Sequence, residues 1–434
     1  MTAAGDSPGA GSGPGAVVDL DALKRERAVE YNPFLAVNLP DNLDRMAGLR
    51  AVSPMTYSTV GGSSFWVATG YDEVVSVLRN NNKGFVSYPN NPFGAPTDGT
   101  QAANKKLIPI DIDGPEHRAY RKLLEPVFAP KEMQALEPQI RKLANDLIDN
   151  WIEDGAVDFV PGFAFPFSAT TVIVLMGWPL EDADMMNGWV RTLQHGVKGG
   201  DQEETVKAMV AAGQAMRDYM SGMIAERKTR PADDFTTMLM NIELDGRKLT
   251  DDELLDMFLL LMLAGLDTVQ SVLAQVFQYL GEHQDQWDEM FAEPETLDLA
   301  VEEFLRWTAP APPTRNVTAE YMMVGDVPVP AGERVHCVIG AANRDPKYYQ
   351  NPDDVDFHRQ AKPHLAFGLG PHRCIGLHLA RLEVKIAFQE LRARMPRFSL
   401  DQSHEPVGHL GFAWGVEDVF LNFPPGQRQA KQAG

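Results

Sequence analysis

The chain has 434 residues, 44% of them hydrophobic, with a mean hydropathy of −0.24 and a formal charge of −21 from 39 Lys and Arg against 60 Asp and Glu. A chain of this length can bury a large core, while the acidic excess argues against nucleic acid as a partner. Two cysteines, Cys337 and Cys374, cannot build a disulfide framework and point to a reducing compartment.

The opening stretch MTAAGDSPGAGSGPGA lacks the basic and apolar regions of a signal peptide, so residues 1–20 are expected to be a disordered tail. Beyond it, apolar residues recur at helical spacing and predict helices over 71–80, 116–125, 133–153, 185–198, 203–227, 250–282, 297–308 and 376–394. Strand-like runs are short: SFWVAT (64–69), YMMV (321–324), ERVHCVIG (333–340) and FAWGVEDVFLNF (412–423). Two segments without periodicity, 86–100 and 195–202, read as mobile lids. No repeat or interior linker interrupts the pattern. The expected architecture is mainly α with a minor β portion, one large domain over 21–425 and a flexible tail at 426–434.

The helix from 250 is the best marked. Thr250 and Glu253 form a capping box ahead of the run LLDMFLLLMLAGLD, and roughly 30 residues would span about 45 Å. Asp256 and Asp267 within it favour a core helix over a membrane span. A soluble, cytoplasmic protein without a membrane partner is expected.

The segment HLAFGLGPHRCIGLHLAR (364–381) sets Cys374 between a glycine-rich turn and a helix start. Sulfur at a helix N-terminus faces unpaired N–H groups and the positive end of the dipole, which stabilises a thiolate. Gly368 and Gly370 permit a tight turn, and Gly376 removes a side chain where a flat cofactor could approach. Three readings stand side by side: a buried cap cysteine, a zinc site using His372, Cys374 and His378, or haem iron on one axial thiolate. Zinc wants several cysteines and four closed ligands; the glycine spacing favours haem.

Phe367-Gly-Leu-Gly-Pro-His-Arg-Cys-Ile-Gly376 resembles the signature of the cytochrome P450 family, Phe-x-x-Gly-x-(His/Arg)-x-Cys-x-Gly, and the resemblance runs from roughly residue 25 to 424. It implies the P450 fold, haem b ligated by Cys374 and packed against Phe367, Gly368 and Gly376, and dioxygen as co-substrate. Ala264-Gly-Leu-Asp-Thr268 is similar to the oxygen-activating motif, closest to the camphor-hydroxylase group even with Val269 where many relatives carry a second hydroxyl. By that likeness Ala264 abuts the cofactor, Gly265 shapes the oxygen groove, and Asp267 and Thr268 deliver the two protons that dioxygen cleavage consumes. Glu303 and Arg306 match the family's Glu-x-x-Arg, with Arg359 completing a structural lock. His117, Arg121, Arg315 and His372 fall at propionate-binding positions.

The resemblance implies a bacterial monooxygenase acting on a hydrophobic small molecule by hydroxylation or epoxidation. A compact terpenoid is the nearest analogy, with steroids, macrolides and fatty acids open. Phe85, Tyr88, Phe93, Leu261, Met262 and Val317 are expected to line the cavity, with Trp189 and Leu193 in a lid segment. Electrons are expected from NAD(P)H through a ferredoxin reductase and a [2Fe–2S] ferredoxin. The ferredoxin would dock on bases gathered between 358 and 394 (Arg359, Lys362, Arg373, Arg381, Lys385, Arg392, Arg394), joined by Arg118 and Lys122. A monomer is expected. The alternatives are a peroxide-driven peroxygenase and a non-enzymatic haem-thiolate sensor.

Overall fold

A computed structural model describes residues 19–33, 39–60, 64–89, 107–197, 201–360, 363–409 and 413–429. Residues 1–18 and 430–434 of the expected tails at 1–20 and 426–434, residues 90–100 and 198–200 of the two aperiodic segments, Phe93 and Lys362 lie outside them, whereas Leu20 already belongs to a helix. In chain order the helices are α1 (Leu20–Glu26), α2 (Leu39–Val52), α3 (Tyr71–Arg79), α4 (Gly114–Leu124), α5 (Pro130–Ala135), α6 (Glu137–Asp149), α7 (Phe165–Met176), α8 (Ala183–His195), α9 (Gln202–Thr229), α10 (Phe235–Asn241), α11 (Asp251–Leu280), α12 (Gln284–Glu289), α13 (Pro294–Thr308), α14 (Ile339–Ala342) and α15 (Leu377–Arg394). The strands are β1 (Ala28–Val29), β2 (Met55–Ser58), β3 (Phe65–Ala68), β4 (Phe85–Val86), β5 (Ala156–Asp158), β6 (Glu243–Leu244), β7 (Arg247–Lys248), β8 (Thr314–Val317), β9 (Tyr321–Val324), β10 (Val327–Pro330), β11 (Arg334–Cys337), β12 (Ser399–Leu400), β13 (Gly408–His409), β14 (Gly415–Val416) and β15 (Phe420–Asn422). The chain is mainly helical with a minor sheet portion.

α11 is the axis of the helical part. Thr250 Oγ1 accepts the Glu253 N–H at 3.2 Å while Glu253 Oε2 accepts the Thr250 N–H at 2.7 Å, which closes the predicted capping box. The helix packs against α7, α9, α13 and α15. It is apolar and long enough to cross a bilayer, but 61% of its most apolar window is buried inside the fold, as a core helix requires.

The remaining sheet-rich part holds a mixed sheet in the order β1-β2-β3-β11-β8-β4. Val335 of β11 pairs with Trp66 on one side and Arg315 on the other, and Phe85 of β4 faces Val317 of β8. A second apolar cluster, including Tyr57, Trp66 and Val335, packs around this sheet.

Several expectations change: the run 333–340 is a strand only to Cys337, the run 412–423 is two short strands, and α2, α10 and α12 were not predicted; two further changes have a clear physical cause. The helix predicted over 133–153 is two helices, α5 and α6, because Pro138 stands in the first turn of the second and cannot continue the first. α7, FPFSATTVIVLM, was not expected: all its residues except Pro166 are buried, so no polar face marks its period, and its Thr, Val and Ile mimic a strand.

Candidate active site around Cys374 and Thr268

The cysteine loop is built by its glycines. Gly368 and Gly370 sit at φ +65° and +75°, backbone that other residues rarely adopt. At Gly370 a Cβ would lie 2.4 Å from the Leu78 carbonyl, so the loop can press against α3 only without a side chain there. Phe367 returns over the turn and its carbonyl accepts the Cys374 N–H at 2.8 Å. Gly376 caps α15, which leaves Cys374 two residues before the cap. The thiol is open to a cleft yet set deep in the mass of the protein. That crowding raises its pKa, while the Gly376 N–H and the charges of Arg121, Arg381 and Arg373 pull it down.

The cleft has a volume of about 710 Å³, and its walls include His117, Arg121, Arg373, Ile375 and Leu377 beside Cys374. His117 is 2% exposed and its ring stacks on His372 with centroids 3.9 Å apart. Burial, together with the neighbouring His372 and Arg121, pushes its pKa down to about 3. Arg121 Nη1 donates to the Arg373 carbonyl at 2.7 Å, which ties α4 to the loop. Arg315 is buried beside this cluster, and burial pulls its pKa down against the attraction of Asp113 and Asp111.

One organising residue escaped the sequence reading. Asp113 accepts the Ser87 N–H at 2.7 Å and the Asn81 amide at 2.5 Å, and its carboxylate lies 2.9 Å from His372 Nε2. Burial alone would raise its pKa; those hydrogen bonds prevail and hold it down to about 2. The available signal was an acid directly before Gly-Pro at a helix start, where Asp113 is the N-cap of α4.

The Ala264–Thr268 motif lies in an unbroken stretch of α11. Thr268 Oγ1 donates to the Ala264 carbonyl at 3.1 Å, and Ser168 of α7 donates to the Leu266 carbonyl at 3.0 Å. Two carbonyls within one turn thus accept a hydroxyl, a pattern that loosens a helix locally. Leu261, Ala264 and Thr268 are half-buried, whereas Asp267 is wholly buried and accepts the Ala413 N–H at 2.8 Å. Gly265 also has a packing role that its sequence position did not show. A Cβ there would lie 2.5 Å from Val172 Cγ2, so this glycine lets α7 approach α11.

Glu303, Arg306 and Arg359 meet in one cluster of largely buried side chains, Glu303 lying 2.7 Å from Arg306 and 3.0 Å from Arg359. Three of the expected cavity residues do not face open space: Phe85 and Met262 are 0% and Val317 2% exposed, because Phe85 and Val317 oppose each other in the ladder between β8 and the edge strand β4 and are packed over by the second cluster, and Met262 points into the helical core. Tyr88 remains half-buried. The expected basic surface is also corrected. Arg359 is buried in the lock, and Arg381, Lys385, Arg392 and Arg394 pair with Glu302, Asp298, Asp288 and Asp149 from other helices. Among the described residues Arg118, Lys122 and Arg373 are the exposed cations beside the cleft that no acid pairs.

The group that fits this arrangement is a flat, iron-bearing ring with carboxylate arms. His117 Nδ1 is buried with no hydrogen-bond partner among the described residues, close to Arg121, Arg315 and His372, a donor set for carboxylates. Gly376 lies beside the Cys374 sulfur: a Cβ placed there would sit 4.0 Å from it, an ordinary contact distance. Among the described residues no cluster of three His, Cys, Asp or Glu could hold a metal ion, so the zinc reading has no ligand set there.

Comparisons with known proteins point the same way. A model of the family described as Cytochrome P450 matches residues 200–406. Cytochrome P450 107B1 of Saccharopolyspora erythraea is 33% identical over 381 residues, 85% of this chain and 91% of that protein. A steroid C26-monooxygenase of Mycobacterium tuberculosis is 34% identical over 319 residues, 73% of this chain and 80% of its own. Among solved structures, CYP101J2 superposes with a TM-score of 0.81 at 25% identity, covering 92% of this chain and 98% of that one. A mutant of P450 EryK in complex with erythromycin B gives 0.76 at 30% identity, covering 90% and 98%. The chain belongs to the cytochrome P450 family of haem-thiolate monooxygenases.

Proposed function

We propose that the Cys374 thiolate would hold the haem iron, and that the protein inserts one oxygen atom into a C–H or C=C bond of a compact hydrophobic molecule. The observation that carries this reading is the Cys374 sulfur, two residues before the cap of α15, its amide fixed by Phe367 and its face open to a cleft that His117 and Arg121 line. Bound haem supplies the oxidising chemistry; the chain's own residues position it and manage protons. His117, Arg121, Arg315 and His372 hold the propionates, with Asp113 orienting His372. Thr268, half-buried on α11, holds a proton for dioxygen through its hydroxyl, and the buried Asp267 beside it resupplies that proton through water. Electrons come from NAD(P)H by way of a reductase and a small acidic [2Fe–2S] ferredoxin, which Arg118, Lys122 and Arg373 steer to the Cys374 face. A cytoplasmic location agrees with such partners.

The test is the reduced carbon monoxide complex. A strongly red-shifted Soret band in the parent and its loss in Cys374→Ser support the reading; an unshifted band in the parent defeats it. Turnover with ferredoxin that slows steeply with added salt supports docking by charge. Equal turnover with peroxide alone would favour a peroxygenase.

A further inference from the structure

Glu302 has no role above beyond pairing with Arg381, and Arg381 enters only through its charge near Cys374. Glu302 neighbours Glu303 on α13 but stays out of the lock. It accepts two hydrogen bonds from Arg381 of α15, at 2.5 and 2.7 Å, and its Oε2 lies 3.1 Å from His364 Nε2. The Arg381 guanidinium lies over the Phe367 ring, 4.6 Å from its centroid, and the His364 ring stands 5.9 Å from the same ring. Phe367 is the residue whose carbonyl receives the Cys374 N–H. A series of contacts therefore leads from a carboxylate on α13, through a guanidinium and a ring, to the backbone that carries the sulfur.

Two features make this more than packing. A two-point Arg–carboxylate pair fixes the plane of the guanidinium as well as its place, and a guanidinium over a ring face is held there by the ring's charge distribution. The pair is also reachable. It lines a cleft of about 300 Å³ with Asp298, Lys385 and His378, and this cleft shares Pro130 and His378 with the larger one at Cys374. The side chains of Arg381 and Glu302 are 29% and 42% exposed.

We propose that Glu302 is a positioning residue that tunes the cysteine loop: by holding Arg381 over Phe367 and offsetting its charge, it sets the positive potential at the Cys374 sulfur and so the reduction potential of the bound iron. Positive potential beside the sulfur favours the reduced state, which carries one more electron; the Glu302 carboxylate lowers that potential. The proposal rests on Cys374 being the haem ligand, and failure of that reading shows in the parent protein as an unshifted carbon monoxide band, before any variant is made.

The haem-loaded parent, Glu302→Gln, Arg381→Gln and the double variant are equilibrated with a reduced indicator dye, and the ferrous-to-ferric ratio is read at one dye poise. Glu302→Gln, which leaves Arg381 uncompensated, raises the ratio; Arg381→Gln lowers it; the double variant falls between them. Each single change moves the ratio by about three- to tenfold. Asp298→Asn removes the same charge from the same cleft without a tie to Phe367 and leaves the ratio in place. An unchanged ratio in Glu302→Gln, or an equal shift in Asp298→Asn, overturns the proposal. If Arg381→Gln loads haem poorly, the Glu302→Gln and Asp298→Asn pair decides alone, since both side chains are substantially exposed at 42% and 64%.

Discussion

Replacing Glu303 by alanine leaves two buried guanidiniums facing each other with no carboxylate between them. Glu303 is 6% exposed and accepts Arg306 Nε and Nη2 at 2.7 Å each, Arg359 Nε at 3.0 Å and the Asp356 N–H at 3.0 Å. Removing one partner of a buried ion pair costs about 3–5 kcal/mol, chiefly through the charge left unpaired. A loss within that range is expected, and fully buried Arg344, whose pKa burial and Arg306 push down to about 9, adds a third guanidinium to the same region. Against a typical total stability of about 5–15 kcal/mol, the loss is large. It also spreads. Arg306 holds the carbonyls of Asn343, Pro352 and Asp354, and the Asn343 side chain in turn accepts the Leu365 N–H at 2.7 Å, at the entrance to the cysteine loop. Denaturant unfolding followed by circular dichroism, with haem absorbance per protein, should show a much lower midpoint and poor haem content for Glu303→Ala, and an intermediate position for Glu303→Gln. A midpoint equivalent to less than about 1 kcal/mol of loss, with full haem content, refutes the reasoning.

Gly265→Ala is expected to destabilise by about 1–3 kcal/mol through overpacking against Val172, and Val172→Ala should recover most of that loss in the double variant; thermal melts of the three proteins decide. Thr268→Ala should keep electron consumption while product falls and peroxide appears, read as product formed per NAD(P)H; unchanged coupling removes Thr268 from proton delivery. His336 is 2% exposed, and burial pushes its pKa down to about 3, so it stays neutral in the fold while the unfolded chain takes up a proton below about pH 6.5. Stability is thus full above pH 6.5 and falls between there and pH 3, by about 1.4 kcal/mol per pH unit at most for this one group. His336→Asn should flatten the pH dependence of unfolding free energy across that window; identical slopes would count against it.

Local signals carried much of the site. The glycines of the cysteine loop announced a left-handed turn that the chain adopts at Gly368 and Gly370, and the Thr250–Glu253 box marked the start of α11. What stayed hidden depends on partners distant in sequence. The bases of α15 looked like one charged surface because their acids, Asp149, Asp288, Asp298 and Glu302, sit on α6, α12 and α13. Phe85 and Val317 became core residues through strand pairing across more than two hundred positions, and the direction in which Gly265 lacks a side chain depends on where α7 lies. α7 itself carried no period to read, being enclosed on all sides.

The capping box of α11 has a reach that its energy alone does not suggest. Glu253 Oε1 also accepts the Tyr120 hydroxyl of α4 at 2.6 Å and Arg247 Nη2 at 2.7 Å, so the carboxylate that begins α11 also anchors the helix bearing His117 and Arg121. Thr250 and Thr268 are eighteen residues apart, about five whole turns and about 27 Å along the axis. The two threonines therefore share a meridian, and one added or deleted residue between them would swing the second by about 100° out of alignment. Substitutions can accumulate along that interval; its length cannot drift.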